Sequence, residues 1–338
     1  MPRTAQLSEW LRQQLDGRPF EVAAASADAS FRRYFRVREA DGRTLVVMDA
    51  APEHEDCRPW LAIRQQLADG GLYVPQVLAE DVAQGFILMN DLGDVTLKDA
   101  LLAEPAPSSG EVHSLYIDAI GALIAMQRLD ASALAPYSHE LLMREMRLFP
   151  DWYLDRHLGK PLADEARARL EAVFETIAAD NLAQTQVFVH RDFQIRNLML
   201  PAQGPRPVLI DFQDAVRGPV SYDILSLLKD AFVSQEEEFL LDLLIRYWDG
   251  ARRVGVPVPE DFALFQRQFD FMGVQRHLKV LGIFARLAYR DGKHGYLGEL
   301  PRMLGWLWPV CRRYAALAPL LDILEKTHPE QVQHGFSF

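Results

Sequence analysis

Hydrophobic and polar positions alternate in two rhythms along the chain, and the change falls near residue 90. Before it, short β-like runs dominate. The stretches "FEVAAAS", "YFRVREA" and "TLVVMDA" read as strands, and Asp41-Gly42 between the last two is a hairpin signal. A helix is expected from about Arg58 to Ala68, with Pro59 tolerated in its first turn and Trp60, Ile63 and Leu67 on one face. "YVPQVLAE" and "GFILMND" supply two more strands, so the expected order is β-β-β-α-β-β. Ahead of them, "MPRTAQLSEWLRQQLDG" places Leu7, Trp10, Leu11 and Leu15 on one helical face and stops at Gly17.

After "NDLGD" the period becomes helical. Stretches such as "SLYIDAIGALIAMQRL" and "HELLMREMRLFPDWYLDRHL" carry it to about Asp180, and "ILSLLKDAF", "FLLDLLIRYWDGARRV" and "FALFQRQFDFMGVQRHLKVLGIFARLAY" resume it beyond Ser221. Between them lies one β-like island, "VFVHRDFQIRNLMLPAQGPRPVLIDFQDA", from Val187 to Ala215. The expected fold is α+β and bilobal: a small β-rich lobe over residues 1–90, a connector near Asn90–Gly93, and a larger helical lobe over residues 91–338.

A length of 338 residues suits two domains or one bilobal one, and the composition is that of an ordinary globular protein. A formal charge of −11 argues against a nucleic-acid partner, whose phosphates are held by surplus Lys and Arg; one small anionic ligand needs only a local patch. Cys57 and Cys311 are too few and too far apart for a disulfide framework or a zinc cluster. No run approaches the roughly 18 apolar residues of a membrane span, and the first segment lacks an apolar signal core. A soluble, cytoplasmic protein with no membrane contact and no obligate protein partner is expected.

The chemistry concentrates in the β-like island. His190, Asp192, Asn197 and Asp211 sit between apolar runs, where a plain buried strand would tolerate none of them. Strand-like "TQVFVH" leads into the polar loop "RDFQIRN", then "LMLP", a turn and "PVLID", so acids and amides stand at the ends of short strands on a rigid base. Asp192 can aim a carboxylate at a substrate, while the amide oxygen of Asn197 and the carboxylate of Asp211 can reach one metal. Oxygen-only ligands suit Mg²⁺ bound with nucleotide phosphates rather than zinc.

"HRDFQIRN" followed by "IDF" resembles the catalytic loop and metal-binding acid of the protein-kinase-like superfamily, and is most similar to its aminoglycoside phosphotransferase and choline kinase branch. The lobe order and connector extend the resemblance over most of the chain. It implies ATP and Mg²⁺ as cofactors, a nucleotide-binding first lobe and a catalytic second lobe. Asp192 would orient and deprotonate the attacking hydroxyl, and Asn197 and Asp211 would bind the metal. Met89, Asn90 and Leu92 at the connector would hold the nucleotide. His190 is expected to be structural. Asp214 is open between a second metal contact and a solvated loop acid. Asp223 reads first as a helix N-cap, and by resemblance also anchors the catalytic-loop backbone.

Two departures stand out. The third strand reads Val46-Val47-Met48-Asp49, without the phosphate-contacting Lys of such enzymes, and "ASADASFRRYFRV" has no glycine-rich signature. Ser30 and the backbone would then cover the phosphates, and Arg32 or Arg33 would replace the missing charge. A nucleotide-binding pseudokinase is the rival class. Asp223 follows Asp211 by only twelve positions, too few for an activation loop and a peptide-docking platform, so a small-molecule substrate is expected. Arg191, Arg196 and Arg217 near the island suit an anionic substrate rather than an aminoglycoside or choline, and Trp152 is a candidate for lining its pocket. "VVMDAAPEHEDCRPW", "HRDFQIRNLM" and "IDFQDAVRGPVSYDILSLLKDA" resemble the bacterial anomeric sugar kinases of cell-wall recycling, which implies N-acetylmuramate and N-acetylglucosamine as acceptors.

Overall fold

Residues 3–25 and 32–329 are described by a computed structural model of the chain. The chain divides into two compact units, and both are discontinuous. The first comprises Met1–Pro107 and Arg196–Asp214, the second Ser108–Ile195 and Ala215–Phe338.

The first unit is built on an antiparallel sheet. Its strands are β1 (Phe20–Ala24), β2 (Arg32–Glu39), β3 (Thr44–Ala50), β4 (Val77–Asp81) and β5 (Phe86–Asn90), in the spatial order β1-β2-β3-β5-β4. Helix α1 (Arg3–Gln14) precedes the sheet, α2 (Arg58–Asp69) links β3 to β4, and α3 (Leu97–Leu101) follows β5. The β-β-β-α-β-β order expected from the residues is the one observed. Strand alternation gives the sheet two faces. On one, Val37, Leu45, Val47, Phe86 and Leu88 bury themselves against Leu7, Trp10, Leu11 and Leu15 of α1. The other carries Tyr34, Arg36, Val46 and Met89, which line a cavity described below. The β4–β5 connection is tight: Gly85 has φ +71°, and a Cβ there would fall 1.8 Å from the Ala50 carbonyl oxygen, so only glycine fits. Two two-residue strands, Leu198–Met199 and Val208–Leu209, pair antiparallel within the same unit.

The second unit is helical: α4 (Ser109–Gln127), α5 (His139–Met146), a π-helical stretch Phe149–His157, α6 (Asp164–Ala183), α7 (Tyr222–Leu228), α8 (Glu237–Arg253), α9 (Phe262–Asp291), α10 (Leu300–Arg313) and α11 (Ala318–Thr327). Strands Gln186–Val189 and Val216–Pro219 pair antiparallel within it. Capping boxes start α3 and α4, from Thr96 and Ser108. Every residue of α9 from Phe269 to Leu281 is buried, so that helix is covered on all sides rather than along one stripe. Its contact with Leu148, at the start of the π-helical stretch, is unusually close. A Cβ on Gly282 would lie 2.4 Å from the Leu148 carbonyl carbon, which leaves room for nothing but hydrogen. Gly282 follows Lys279 by three residues and Leu148 follows Glu145 by three, so the close approach sets these two charged side chains side by side. Among the described residues no helix is long and apolar enough to cross a membrane.

Candidate functional site

In the first unit, the pairing of Leu198 with Leu209 brings the residues just outside it together. The Asn197 carbonyl accepts from the Ile210 amide at 3.1 Å, and the Asn197 side-chain amide donates to the Asp211 carboxylate at 3.3 Å. Gln213, standing where protein kinases have glycine, donates to the other Asp211 oxygen at 2.9 Å. Asp211 holds φ +64°, a conformation costly for a side-chain-bearing residue and typical of functional loops. Both residues line a cavity of about 290 Å³ that also takes in Tyr34, Trp60, Met89, Asn90 and Leu92. The expected metal pair and the expected connector residues therefore share one pocket. Asp214 is exposed, joined to Gln213 at 3.4 Å.

Among the described residues no cluster of three or more His, Cys, Asp or Glu side chains could hold a metal. Asn197 and Asp211 are instead a two-ligand oxygen set, the arrangement that suits Mg²⁺ when waters and phosphate oxygens complete its shell. Burial pushes the neighbouring Tyr34 hydroxyl up to about 12, with Arg32 working against it and Asp211 with it. Tyr34 is thus a neutral donor in this wall.

The missing third-strand lysine has a structural answer in part. Met48 is fully buried opposite Tyr34, and it is Val46, one step earlier on the same face, that reaches the cavity. Arg32 shares the face of Tyr34 and Arg36, and its guanidinium pairs with Glu55, Nε to Oε1 at 2.8 Å. Arg33 points to the opposite face, where it pairs with the buried Asp49 beside Arg3. The expectation that either arginine could replace the lysine narrows to Arg32, because alternation turns Arg33 away. Arg36, which sequence reasoning did not single out, reaches the connector: its guanidinium binds Asp91 at 2.7 Å and Asp94 at 2.8 Å. Ser30 lies outside the described residues.

In the second unit, the catalytic-loop sequence is hung from α7. The Asp223 carboxylate accepts the backbone amides of His190 at 2.7 Å and Arg191 at 3.1 Å, and Asp230 accepts that of Ile195 at 3.4 Å. Asp223 is therefore not the N-cap of α7; Ser221 occupies that position, and Asp223 sits inside the first turn facing the loop. Burial lifts its pKa to about 7, while the two amides pull it down. His190 is fully buried, edge-on to Phe193 with ring centroids 5.9 Å apart, as a structural residue should be. Asp192 is partly exposed and accepts from the Gln194 side chain at 3.2 Å. Arg191, with φ +72°, turns its side chain inward.

That side chain meets a network the sequence reading did not find. Glu145 of α5 accepts from Arg191 at 2.9 Å, Lys279 at 3.2 Å and Gln275 at 2.9 Å, and from the Tyr137 hydroxyl. Burial pushes Glu145 up, but Lys279, Tyr137 and Arg191 outweigh it and hold the carboxyl below its usual range. Lys279 also donates to the Tyr222 hydroxyl at 3.1 Å. Its own burial favours the neutral amine, yet Tyr222, Glu145 and Asp192 keep its pKa above normal. One signal was legible: "QRHLK" breaks an otherwise apolar run in α9, and polar residues buried mid-helix need partners.

The remaining substrate candidates are scattered. Arg217 is exposed on the strand Val216–Pro219, and Arg196 lies half-buried in the first unit at the turn Ile195–Asn197. Trp152 lines a separate cavity with Asp155, Arg156 and Tyr289, whereas Tyr153 is core, stacked on Phe149 and bonded to His328.

Three comparisons show what the chain is similar to. The model of the family described as "Phosphotransferase enzyme family" matches residues 21–256. An N-acetylmuramate/N-acetylglucosamine kinase of Neisseria meningitidis serogroup B is 47% identical, over 100% of both chains. In three dimensions the chain is similar to ADP-bound aminoglycoside phosphotransferase APH(2'')-Ib, with a TM-score of 0.58 at 16% identity over 89% of this chain and 97% of that one. It is also similar to the choline kinase LicA of Streptococcus pneumoniae, with a TM-score of 0.59 at 14% identity over 89% and 99%. The protein-kinase-like fold expected from the motifs is thus the observed one, and the chain belongs to the phosphotransferase enzyme family.

Proposed function

We propose that the protein is a cytoplasmic kinase that uses ATP and Mg²⁺ to phosphorylate the anomeric hydroxyl of N-acetylmuramate and N-acetylglucosamine in peptidoglycan recycling. The observation that carries this reading is identity of 47% over the full length with an enzyme of that name, on a chain that carries Asp192, Asn197 and Asp211 in its HRDFQIRN and IDF motifs. The first unit would take the nucleotide, with Met89, Asn90 and Leu92 beside the base and Ser30 and Arg32 toward the phosphates. Asn197 and Asp211 would hold Mg²⁺, which neutralises charge on the phosphates when bound. The acceptor would fall to the second unit, with Arg191 the best-supported of the sugar-side residues and Arg196, Arg217 and Trp152 further candidates.

Asp192 would do limited work. An anomeric hydroxyl belongs to a hemiacetal and is more acidic than the other ring hydroxyls. In a loose phosphoryl-transfer transition state the nucleophile needs little activation, so Asp192 orients the hydroxyl and takes its proton late. The bond formed joins the anomeric oxygen to the γ-phosphorus, the bond broken frees ADP, and the proton ends on the Asp192 carboxylate.

The product would have lost its free reducing end. Incubation with ATP, Mg²⁺ and N-acetylmuramate should consume reducing sugar in step with ADP release, and mild acid should restore it. ADP release with the reducing end intact would assign a different hydroxyl. Turnover with choline or an aminoglycoside and none with either amino sugar would overturn the acceptor assignment.

A further inference from the structure

Glu145 is one carboxylate shared by two cations, which leaves the trio with a single positive charge in surplus. Its two oxygens are both engaged, Oε1 by Arg191 and Lys279, Oε2 by Tyr137 and Gln275. The donors, by contrast, are not used up. A guanidinium offers five N–H groups and an ammonium three. Within the described residues Arg191 spends hydrogen bonds on Glu145 alone, and its Nε is buried without an acceptor. Lys279 spends two, on Glu145 and on the Tyr222 hydroxyl. Neither side chain is sealed off: Arg191 is 20% exposed and Lys279 11%. Both cations feel the charge of Asp192, the next residue after Arg191.

We infer that Arg191 and Lys279, held side by side on Glu145, form a carboxylate-binding subsite that recognises the lactyl group of N-acetylmuramate. This rests on the function proposed above and deepens it by naming the residues that distinguish the two sugars. A carboxylate brought to the exposed edge of the pair would accept from N–H groups that Arg191 and Lys279 do not spend on Glu145 or Tyr222; N-acetylglucosamine has no such group. The subsite also discriminates against cations. A polyamine or a quaternary ammonium brought to Asp192 would meet two like charges that share one buried carboxylate, a repulsion that counts most where water is scarce. Arg217 is a weaker candidate, being a solvated surface arginine outside the network.

The scaffold makes the pair stiff, which a recognition site requires. Gly282 lets α9 lie on the backbone of Leu148, so Lys279 and Glu145 meet through rigid helices and not through loops. Tyr137 packs edge-on against Tyr222 at 5.3 Å and lies under the Arg191 guanidinium at 5.8 Å, which fixes the direction of the fork.

The test is the selectivity ratio, kcat/KM for N-acetylmuramate over that for N-acetylglucosamine, in wild-type enzyme, Lys279→Gln and Lys279→Arg. Gln keeps size and hydrogen bonding but removes the charge, and Arg191 remains to neutralise Glu145. The ratio should fall at least tenfold in Lys279→Gln, mainly through KM for N-acetylmuramate, with KM for ATP little changed and substantial recovery in Lys279→Arg. An unchanged ratio overturns the subsite. So does an equal loss on both sugars with a raised KM for ATP, which would assign the cations to phosphate. Wild-type enzyme gives an independent reading: KM for N-acetylmuramate should rise with ionic strength while that for N-acetylglucosamine stays level, and parallel behaviour of the two contradicts the inference. Wild-type turnover of neither sugar would overturn the proposed function itself.

Discussion

Asp211 in the first unit and Glu145 in the second are both carboxylates with several donors around them, yet they are built for opposite ends. Asp211 is half-buried and receives two neutral amides, from Asn197 at 3.3 Å and Gln213 at 2.9 Å, which leaves oxygen lone pairs free toward the cavity. Glu145 is buried and saturated by two cations, a phenol and an amide. A carboxylate held by weak neutral donors in a strained backbone is ready to bind a cation. One that is already fully neutralised cannot take a ligand, and its work is to aim the groups bonded to it. Charge alone does not identify a ligand; the unspent hydrogen-bonding capacity does.

The largest effect should come from the residue that belongs to neither class. Asp192→Asn should leave folding and ATP binding nearly intact while lowering turnover by ~10²–10⁴, about 3–5 kcal/mol of barrier. A clean preparation with undiminished turnover would remove Asp192 from the chemistry.

Glu145→Ala should hurt stability first. It removes the carboxylate that Lys279 and Arg191 share, a defect that costs about 3–5 kcal/mol and is visible as a lowered unfolding midpoint. Should Glu145→Ala unfold at the wild-type midpoint, the saturated network would not be a scaffold at all.

These two residues also show where linear reading works. Asp192, Asn197 and Asp211 stand out in the sequence because two acids and an amide interrupt apolar, strand-like runs, and that pattern is local. The element order β-β-β-α-β-β was legible from alternation and the Asp41-Gly42 turn. Glu145 was not: it sits in "HELLMREM" between exposed Arg144 and buried Met146, and only the tertiary contact of α5 with α9 makes it interior. Lys279 lies in a helix buried on every side, where helical periodicity has no polar face to contrast. Asp223 reads as a cap from local sequence alone, because caps are local; only the family resemblance assigns it to the loop backbone, whose amides at His190 and Arg191 lie more than thirty residues upstream. The grouping of 196–214 with the first unit has no linear signal of any kind.

A smaller effect should separate the two β2 arginines. Arg32→Ala should weaken ATP binding about tenfold, ~1.4 kcal/mol, and Arg33→Ala should not, since only Arg32 shares the cavity face. Equal responses would mean that strand alternation is a poor guide here. A further effect is expected in pH. Asp223, lifted by burial to about 7, starts from about 3.9 in an unfolded chain. Between those values the folded state keeps a proton that the unfolded state has released, so stability from this group is greatest at low pH and declines as pH rises toward 7. The ionised form is the one that accepts both loop amides, so turnover should rise over the same window. Asp223→Asn should flatten the stability slope between pH 5 and 7, measured by denaturant unfolding; an unaltered slope would show that Asp223 titrates elsewhere.

The contrast between a ligand-ready carboxylate and a saturated one is tested most directly by calorimetric titration of ATP, with and without Mg²⁺, into wild-type protein, Asp211→Ala and Glu145→Gln. Wild-type protein should bind ATP far more tightly when Mg²⁺ is present. That Mg²⁺ dependence should vanish in Asp211→Ala and persist in Glu145→Gln. Mg²⁺-dependent binding that survives in Asp211→Ala, or disappears only in Glu145→Gln, would contradict the account.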